Sequence, residues 1–198
     1  MLEIERRGKT MKKICIVTTF TGTLLSCLIK NISKTPYAHV SIALNDDLKP
    51  MYSFGRLNPK TPIFAGFVEE NINEGLYAIR TNTMCRVYSL MVTDRQYEKL
   101  KENIYNVSIN RKQYLYDVKA LVYLSVNKPR QKDYRYVCSH FVADMLQKSD
   151  INILDKEPHE VRPNDFYDLD HLQLEYEGLL CNYYENYKVN DVRKVVNI

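Results

Sequence analysis

Cys138, in YRYVCSHFVADML, and His39, in YAHVSIAL, stand 99 positions apart, in the two segments with the clearest secondary-structure signatures of the chain. A thiol and an imidazole are a pair from which a nucleophile can be made at neutral pH, because the base takes the proton and leaves a thiolate. Cys138 falls where a helix should begin, and there the positive end of the helix dipole and any neighbouring imidazolium stabilise the anion. Sites of this kind bring a cysteine pKa from about 8.5 into a range of roughly 3.5–7.5. Counting from Cys138, the residues Phe141, Val142, Met145 and Leu146 fall at i+3, i+4, i+7 and i+8, one apolar stripe that anchors the helix on a core. His140 is about 200° around that helix from the sulfur, so the base must come from elsewhere.

His39 meets that requirement. From Tyr37 to Leu44 the chain alternates as a strand, with Ala38, Val40, Ile42 and Leu44 on one face and Tyr37, His39, Ser41 and Ala43 on the other. A histidine on the less apolar face is free to point into a cleft. Taken singly, a strand histidine is more often an ordinary hydrogen-bonded group, and a helix-start cysteine an inert thiol. The combination carries the reading.

The elements that must position this pair follow from periodicity. Ile14 to Phe20 is β-rich, and Thr23 to Ile32 carries the apolar stripe of an amphipathic helix that Pro36 ends. Asn45-Asp46-Asp47 signals a turn before Met51 to Phe54, which makes a hairpin with the histidine strand. Residues 55–75, with Gly55, Pro59, Pro62, Gly66 and Gly75, read as a long surface excursion, and long loops in compact domains are often functional. Strands are predicted at Leu76 to Arg80 and Arg86 to Val92, then a helix opened by Thr93 and Asp94. Tyr114 to Val126 fits either type. Pro163-Asn164-Asp165 starts a short helix, and further runs lie at Leu172 to Tyr176 and Leu179 to Tyr184.

A chain of 198 residues, 45% hydrophobic and 26% charged, can bury one substantial core, which predicts a single domain over residues 1–198 with 1–12 as a flexible extension. The net charge of +4 comes from scattered charges of both signs with no basic block, which argues against a nucleic-acid partner. Sixteen tyrosines with no tryptophan read as half-buried strand and rim residues, or as an amphipathic groove. The five cysteines are odd in number and lack any CxxC or CxxH spacing, which argues against a disulfide framework and a zinc site and favours a cytoplasmic, reducing location. Against that, the stretch MKKICIVTTFTGTLLSC from Met11 imitates a lipoprotein signal ending at Cys27. Its apolar run is broken by threonines, reads equally well as a buried strand, and is too short to span a bilayer.

These residues resemble a known family. CSHFVADML is similar to the nucleophile helix of NlpC/P60 enzymes, and YAHVSIAL resembles their histidine strand. The histidine precedes the cysteine, which is the order of the circularly permuted branch of this papain-like superfamily. Met51-Tyr52-Ser53-Phe54, Tyr116-Asp117 and RPNDFYDLDHL sit where that group has similar elements, so the likeness covers residues 14–180 with motif-level agreement confined to the two short stretches.

The resemblance implies an α+β, papain-like fold in which a nucleophile-bearing helix packs on an antiparallel sheet. It implies a cysteine hydrolase, of the thiol peptidase or amidase kind, or an acyltransferase working through a thioester without metal or cofactor. Its substrate would be a small peptide, amide or acyl lipid, with membrane contact open. Permuted relatives often place a carboxylate on the strand after the histidine strand, and the corresponding position here is Ser53; Glu69 and Glu70 are alternatives in space. The expected site is therefore Cys138, His39 and Ser53, with Tyr37, Tyr136 and Phe54 as substrate contacts. Phe54, Ile63, Phe64, Phe67 and Val68 either bury an acyl chain or pin the loop to the body. A serine in place of the acid also motivates the alternative of a catalytically idle lipid- or peptide-binding module.

Overall fold

The computed structural model describes residues 10–22, 36–58, 61–126, 128–167 and 169–185. The expected helix at Thr23 to Ile32, and Cys27 with it, lies outside the described residues. In chain order come β1 (Met11–Phe20), β2 (His39–Ala43), β3 (Met51–Asn58), β4 (Thr61–Glu70), α1 (Gly75–Ile79), β5 (Met84–Thr93), α2 (Asp94–Ile109), β6 (Leu115–Tyr116), α3 (Val118–Ser125), β7 (Arg135–Tyr136), α4 (Cys138–Lys148) and β8 (Gln173–Leu179), with short 3-10 turns among them. Six strands form one antiparallel sheet in the order β4-β3-β2-β1-β5-β8, and β6 and β7 make a separate parallel pair. The architecture is mixed α+β. None of the helices among the described residues is long and apolar enough to cross a membrane.

Both faces of the sheet are covered. On one, Ile14, Ile16, Val40, Ile42 and Leu90 meet the apolar stripes of α2 and α4. On the other, Cys15, Val17, Ala43, Met51 and Val87 lie under Leu48, Ile72, Tyr77, Leu180 and Tyr183. This is why β1 is buried continuously from Ile14 to Thr19 rather than at every second residue. The helix stripes follow the predicted spacing: Leu100, Ile104 and Val107 are the buried residues of α2, and Phe141, Val142, Met145 and Leu146 are all buried in α4. Thr93 opens α2 with a capping box, its hydroxyl accepting from the Gln96 N–H while the Gln96 side chain accepts from the Thr93 N–H.

Three sequence expectations change. Residues 55–75 are not a loop excursion: β3 and β4 form a hairpin through most of that stretch, with Gly55 opposite Gly66. Two glycines facing each other leave no side-chain alternation to read, and Pro62 falls in the irregular part of an edge strand, where a missing ladder donor is tolerated. Leu76 to Arg80 is a helical turn, with i→i−4 bonds from Ala78 to Glu74 and from Arg80 to Leu76. A run of four apolar residues, Leu76 to Ile79, does not distinguish the two types. Met11 and Lys12 belong to β1, paired with Thr93 and Val92, so they are no part of a flexible extension.

Phe54, expected to touch substrate, has 0% exposure and joins Phe67, Phe141, Tyr136 and Tyr114 in a ring cluster with centroid separations of 5.1–6.5 Å. Its place is the core between β3 and α4, with one edge reaching a cleft described below. Phe54→Ala should cost about 3–5 kcal/mol of unfolding free energy, as full truncation of a buried ring does; urea denaturation measures it, and a loss under about 1 kcal/mol would remove Phe54 from the core.

Candidate functional site

Side-chain alternation along β2 places His39 and Ser41 on the same face as Ala43, away from α4. On β4, two strands over, Glu70 lies on that same face, its backbone opposite Met51, which is itself opposite Ala43. For His39 and Glu70 to meet, their side chains must cross β3, and β3 lets them. The two β3 residues in the way are Ser53, whose hydroxyl turns to donate to the Val40 carbonyl at 2.7 Å, and Gly55, which has no side chain. A Cβ on Gly55 would stand 3.5 Å from His39 Cε1 and 3.6 Å from Glu70 Oε1.

Across that gap His39 Nε2 lies 3.0 and 3.2 Å from the two Glu70 oxygens. Glu70 also accepts from the Ser41 hydroxyl at 2.5 Å and from the Tyr77 hydroxyl at 3.4 Å, and Tyr77 is linked to Thr19 at 3.3 Å. The carboxylate is thus surrounded by donors. The side chains of His39 and Glu70 keep only 21% and 17% of their exposure. Burial by itself would lower the His39 pKa, but the Glu70 charge and hydrogen bonds to Cys138 and Glu70 outweigh it and hold the imidazole well above 6.5. Burial would raise Glu70, and the His39 charge with the bonds from His39, Ser41 and Tyr77 brings it below 4.5 instead. The pair is an imidazolium and a carboxylate.

Cys138 approaches from the other side. It belongs to the core cluster on the helix-bearing face, at the first residue of α4, and lines the same small cavity as His39, whose pKa it helps to raise. Nε2 of the ring is engaged by Glu70. The two faces communicate because the β2–β3 pairing covers only Ile42–Tyr52 and Ala43–Met51 and then stops. In the opening lies a cavity of about 60 Å³, lined among others by Cys138, His39, Glu70, Tyr77, Arg56 and Tyr116. That volume is enough for a few waters. Cys138 is 3% exposed and lines this cleft.

The first hydrogen bond of α4 runs from Phe141 N–H to Val137 C=O at 3.0 Å, so the N–H groups of Cys138, Ser139 and His140 stand outside the helix's own ladder. Val137, the N-cap, has no side-chain oxygen to cap them. Donors and dipole therefore point towards the sulfur's end of the cleft, where negative charge is favoured.

Other sequence candidates fall elsewhere. Ser53 does not orient His39; its hydroxyl is committed to Val40. Tyr136 donates to Asp144 at 2.5 Å and stacks near His140 with centroids 4.6 Å apart, which takes its hydroxyl away from the cleft. Tyr37 donates to Glu177 at 3.0 Å and packs edge-on against Tyr167, outside the cavity lining. His140 sits in a buried pocket that brings its pKa to about 4. Cys15 and Cys85 are pushed up to about 12 by burial, as inert core thiols. Glu70 had been one of two alternatives on a supposed loop. Tyr77 was missed because nothing in the short run Leu76 to Ile79 marks a buried hydroxyl. Among the described residues no group of three or more His, Cys, Asp or Glu converges as a metal site would. No family model and no curated protein matches this chain.

Glu70→Gln should lower the midpoint of the His39 ring titration, read by NMR, whereas Ser53→Ala should leave it in place and cost about 1–3 kcal/mol for the orphaned Val40 carbonyl. The pH dependence of stability has a definite sign. The depressed Glu70 contributes above 4.5 and loses its contribution as pH falls through its folded pKa. The raised His39 contributes fully below 6.5 and loses its contribution as pH rises through its folded pKa. The destabilisation by Glu70→Gln should accordingly peak between pH 4.5 and 6.5. Gly55→Val should wedge the pair apart and shift the His39 titration as Glu70→Gln does, while Gly55→Ala, with contacts no closer than 3.4 Å, should not.

Proposed function

We propose that the protein is a cysteine hydrolase or acyltransferase that cleaves an amide or ester through a thioester, with a papain-like fold of the circularly permuted NlpC/P60 kind. The observation that carries the proposal is that Cys138, at the start of a helix, lines one cleft together with a hydrogen-bonded His39–Glu70 pair. Glu70 takes the orienting role first assigned to Ser53. A carboxylate fixes the imidazole more firmly than a hydroxyl does, and its contact with His39 removes the reason for preferring an idle binding module.

The steps follow from the geometry. His39 holds the proton of Cys138, and the thiolate attacks the acyl carbon. The tetrahedral oxyanion takes the N–H groups at the start of α4, with the Tyr116 hydroxyl at the cavity wall as a further donor. Collapse breaks the bond to the leaving amine or alcohol, which takes the proton from the imidazolium. Water or another acceptor then gives its proton to His39, attacks the thioester and releases Cys138. The cleft is small, about 60 Å³, which suits the scissile group with the rest of the substrate lying towards its open side. The free thiols of Cys15, Cys85, Cys138 and Cys181 fit a cytoplasmic setting.

At neutral pH iodoacetamide should modify Cys138 well ahead of Cys15 and Cys85, and ahead of Cys181 despite the latter's exposure; peptide mapping reads the order, and equal rates for Cys138 and Cys181 would reject an activated thiol. On fluorogenic acyl and peptide substrates Cys138→Ala should abolish turnover and Glu70→Gln should lower kcat by roughly 10²-fold or more. Tyr116→Phe should cost roughly 10²–10³ in kcat with little change in KM.

A further inference from the structure

The outward side of α3 is unlike a solvated helix face. Val118, Lys119, Tyr123 and Val126, the last being the C-cap, fall within an arc of about 140°. Val118 and Val126 are 61% and 57% exposed. The opposite side, Ala120 and Leu124, packs on Val137. Leu115 on β6 and Tyr134, whose carbonyl accepts from the Leu115 N–H at 2.9 Å, are exposed beside it. Residues 111–135 hold seven basic and two acidic residues, a surplus of five against four for the whole chain. One of the two acids, Asp117, is buried as the α3 N-cap, accepting from the Ala120 N–H at 3.1 Å. The Arg130 guanidinium lies 5.4 Å from the Tyr123 ring. Exposed aliphatic groups, amphipathic tyrosines and a basic surplus thus concentrate within residues 111–135.

We propose that this surface, the outer face of α3 with the β6–β7 pair, docks on an anionic lipid bilayer. Charge complementarity selects the occupant. An acidic protein or a nucleic acid would answer the lysines but leave the valines against polar groups, and a second copy of the chain would bring the same positive surplus to a like-charged face. A bilayer with anionic headgroups takes both, with the aliphatic side chains below the headgroups and the lysines among them. Docking lays α3 between the bilayer and Val137, one residue before Cys138, and β6 alternates from exposed Leu115 to Tyr116 on the wall of the cleft. The interaction does not require the chemistry proposed for Cys138.

The test is cosedimentation of the full chain with vesicles of phosphatidylcholine alone and of phosphatidylcholine mixed with phosphatidylglycerol. Binding is expected to the mixed vesicles only, weakened strongly by about 0.5 M NaCl, where screening shortens to a few ångströms. Lys119→Ala, Lys128→Ala and Lys132→Ala should each weaken partitioning about fivefold. Val118→Asp with Val126→Asp should abolish it while thermal unfolding stays near wild type, because both sites are exposed. Cys138→Ala should bind as wild type does, which separates this surface from the proposed catalysis. Equal binding to both vesicle types, binding indifferent to these substitutions, or a dimer in sedimentation velocity that Val118→Asp disperses would overturn the proposal.

Discussion

The His39–Glu70 contact is the constraint around which the rest of the site is arranged. Each partner is nearly buried, and an unpaired charge there would be costly, so neither can be charged without the other. The protein meets this cost with geometry. Three strands contribute, and the middle one yields the space: Gly55 offers no side chain and Ser53 turns its hydroxyl into the sheet. Ser41 and Tyr77 then fill the remaining acceptor positions of the carboxylate. Moving β4 by one residue would send Glu70 to the opposite face and put Glu69 in its place at the wrong height, so the β3–β4 register is as much a part of the site as the side chains.

The interruption of the β2–β3 ladder is the second requirement. A complete ladder would seal the sheet between imidazole and thiol, since the two start from opposite faces. Ladder bonds are lost over the length of His39 to Ser41, and the Ser53 hydroxyl restores one by donating to the Val40 carbonyl. The small opening that results leaves the His39–Glu70 pair only partly exposed, which strengthens their attraction over that in water, and leaves the sulfur an approach. Compared with Cys15 and Cys85, held inert under the sheet, Cys138 differs in having an imidazolium and free backbone donors beside it.

What could be read from the sequence, and what could not, divides along physical lines. The histidine strand and the α4 stripe were legible because each has a strong, single period over eight or more residues. The α2 start was legible because a threonine cap is a local signal. The β3–β4 hairpin was hidden by the residues that make it useful: Gly55 and Gly66 carry no pattern, and prolines usually mark loops. Glu70 could be named only as one of two neighbouring acids, because the choice between them is a matter of strand parity. The burial of both sheet faces also blurred alternation along β1, where an apolar run could pass for a signal peptide.

The path from surface to sulfur is short, and its stiffness follows from packing. The inner residues of α3, Ala120 and Leu124, rest on Val137, and Val137 caps the helix whose first residue is Cys138. The Ser139 hydroxyl donates to the Val161 carbonyl at 2.5 Å, and Arg162 donates to the Leu124 carbonyl, so the segment after α4 ties the start of α4 to the end of α3. A helix held at its N-cap from one side and at its second residue from the other cannot rotate its first turn independently. The direction of the Cys138 sulfur is therefore set by α3 and by residues 161–162 together, while the direction of His39 is set by β4. Two separately braced groups line one cleft, and in the proposed reaction the donors at the head of α4 would already stand where negative charge develops.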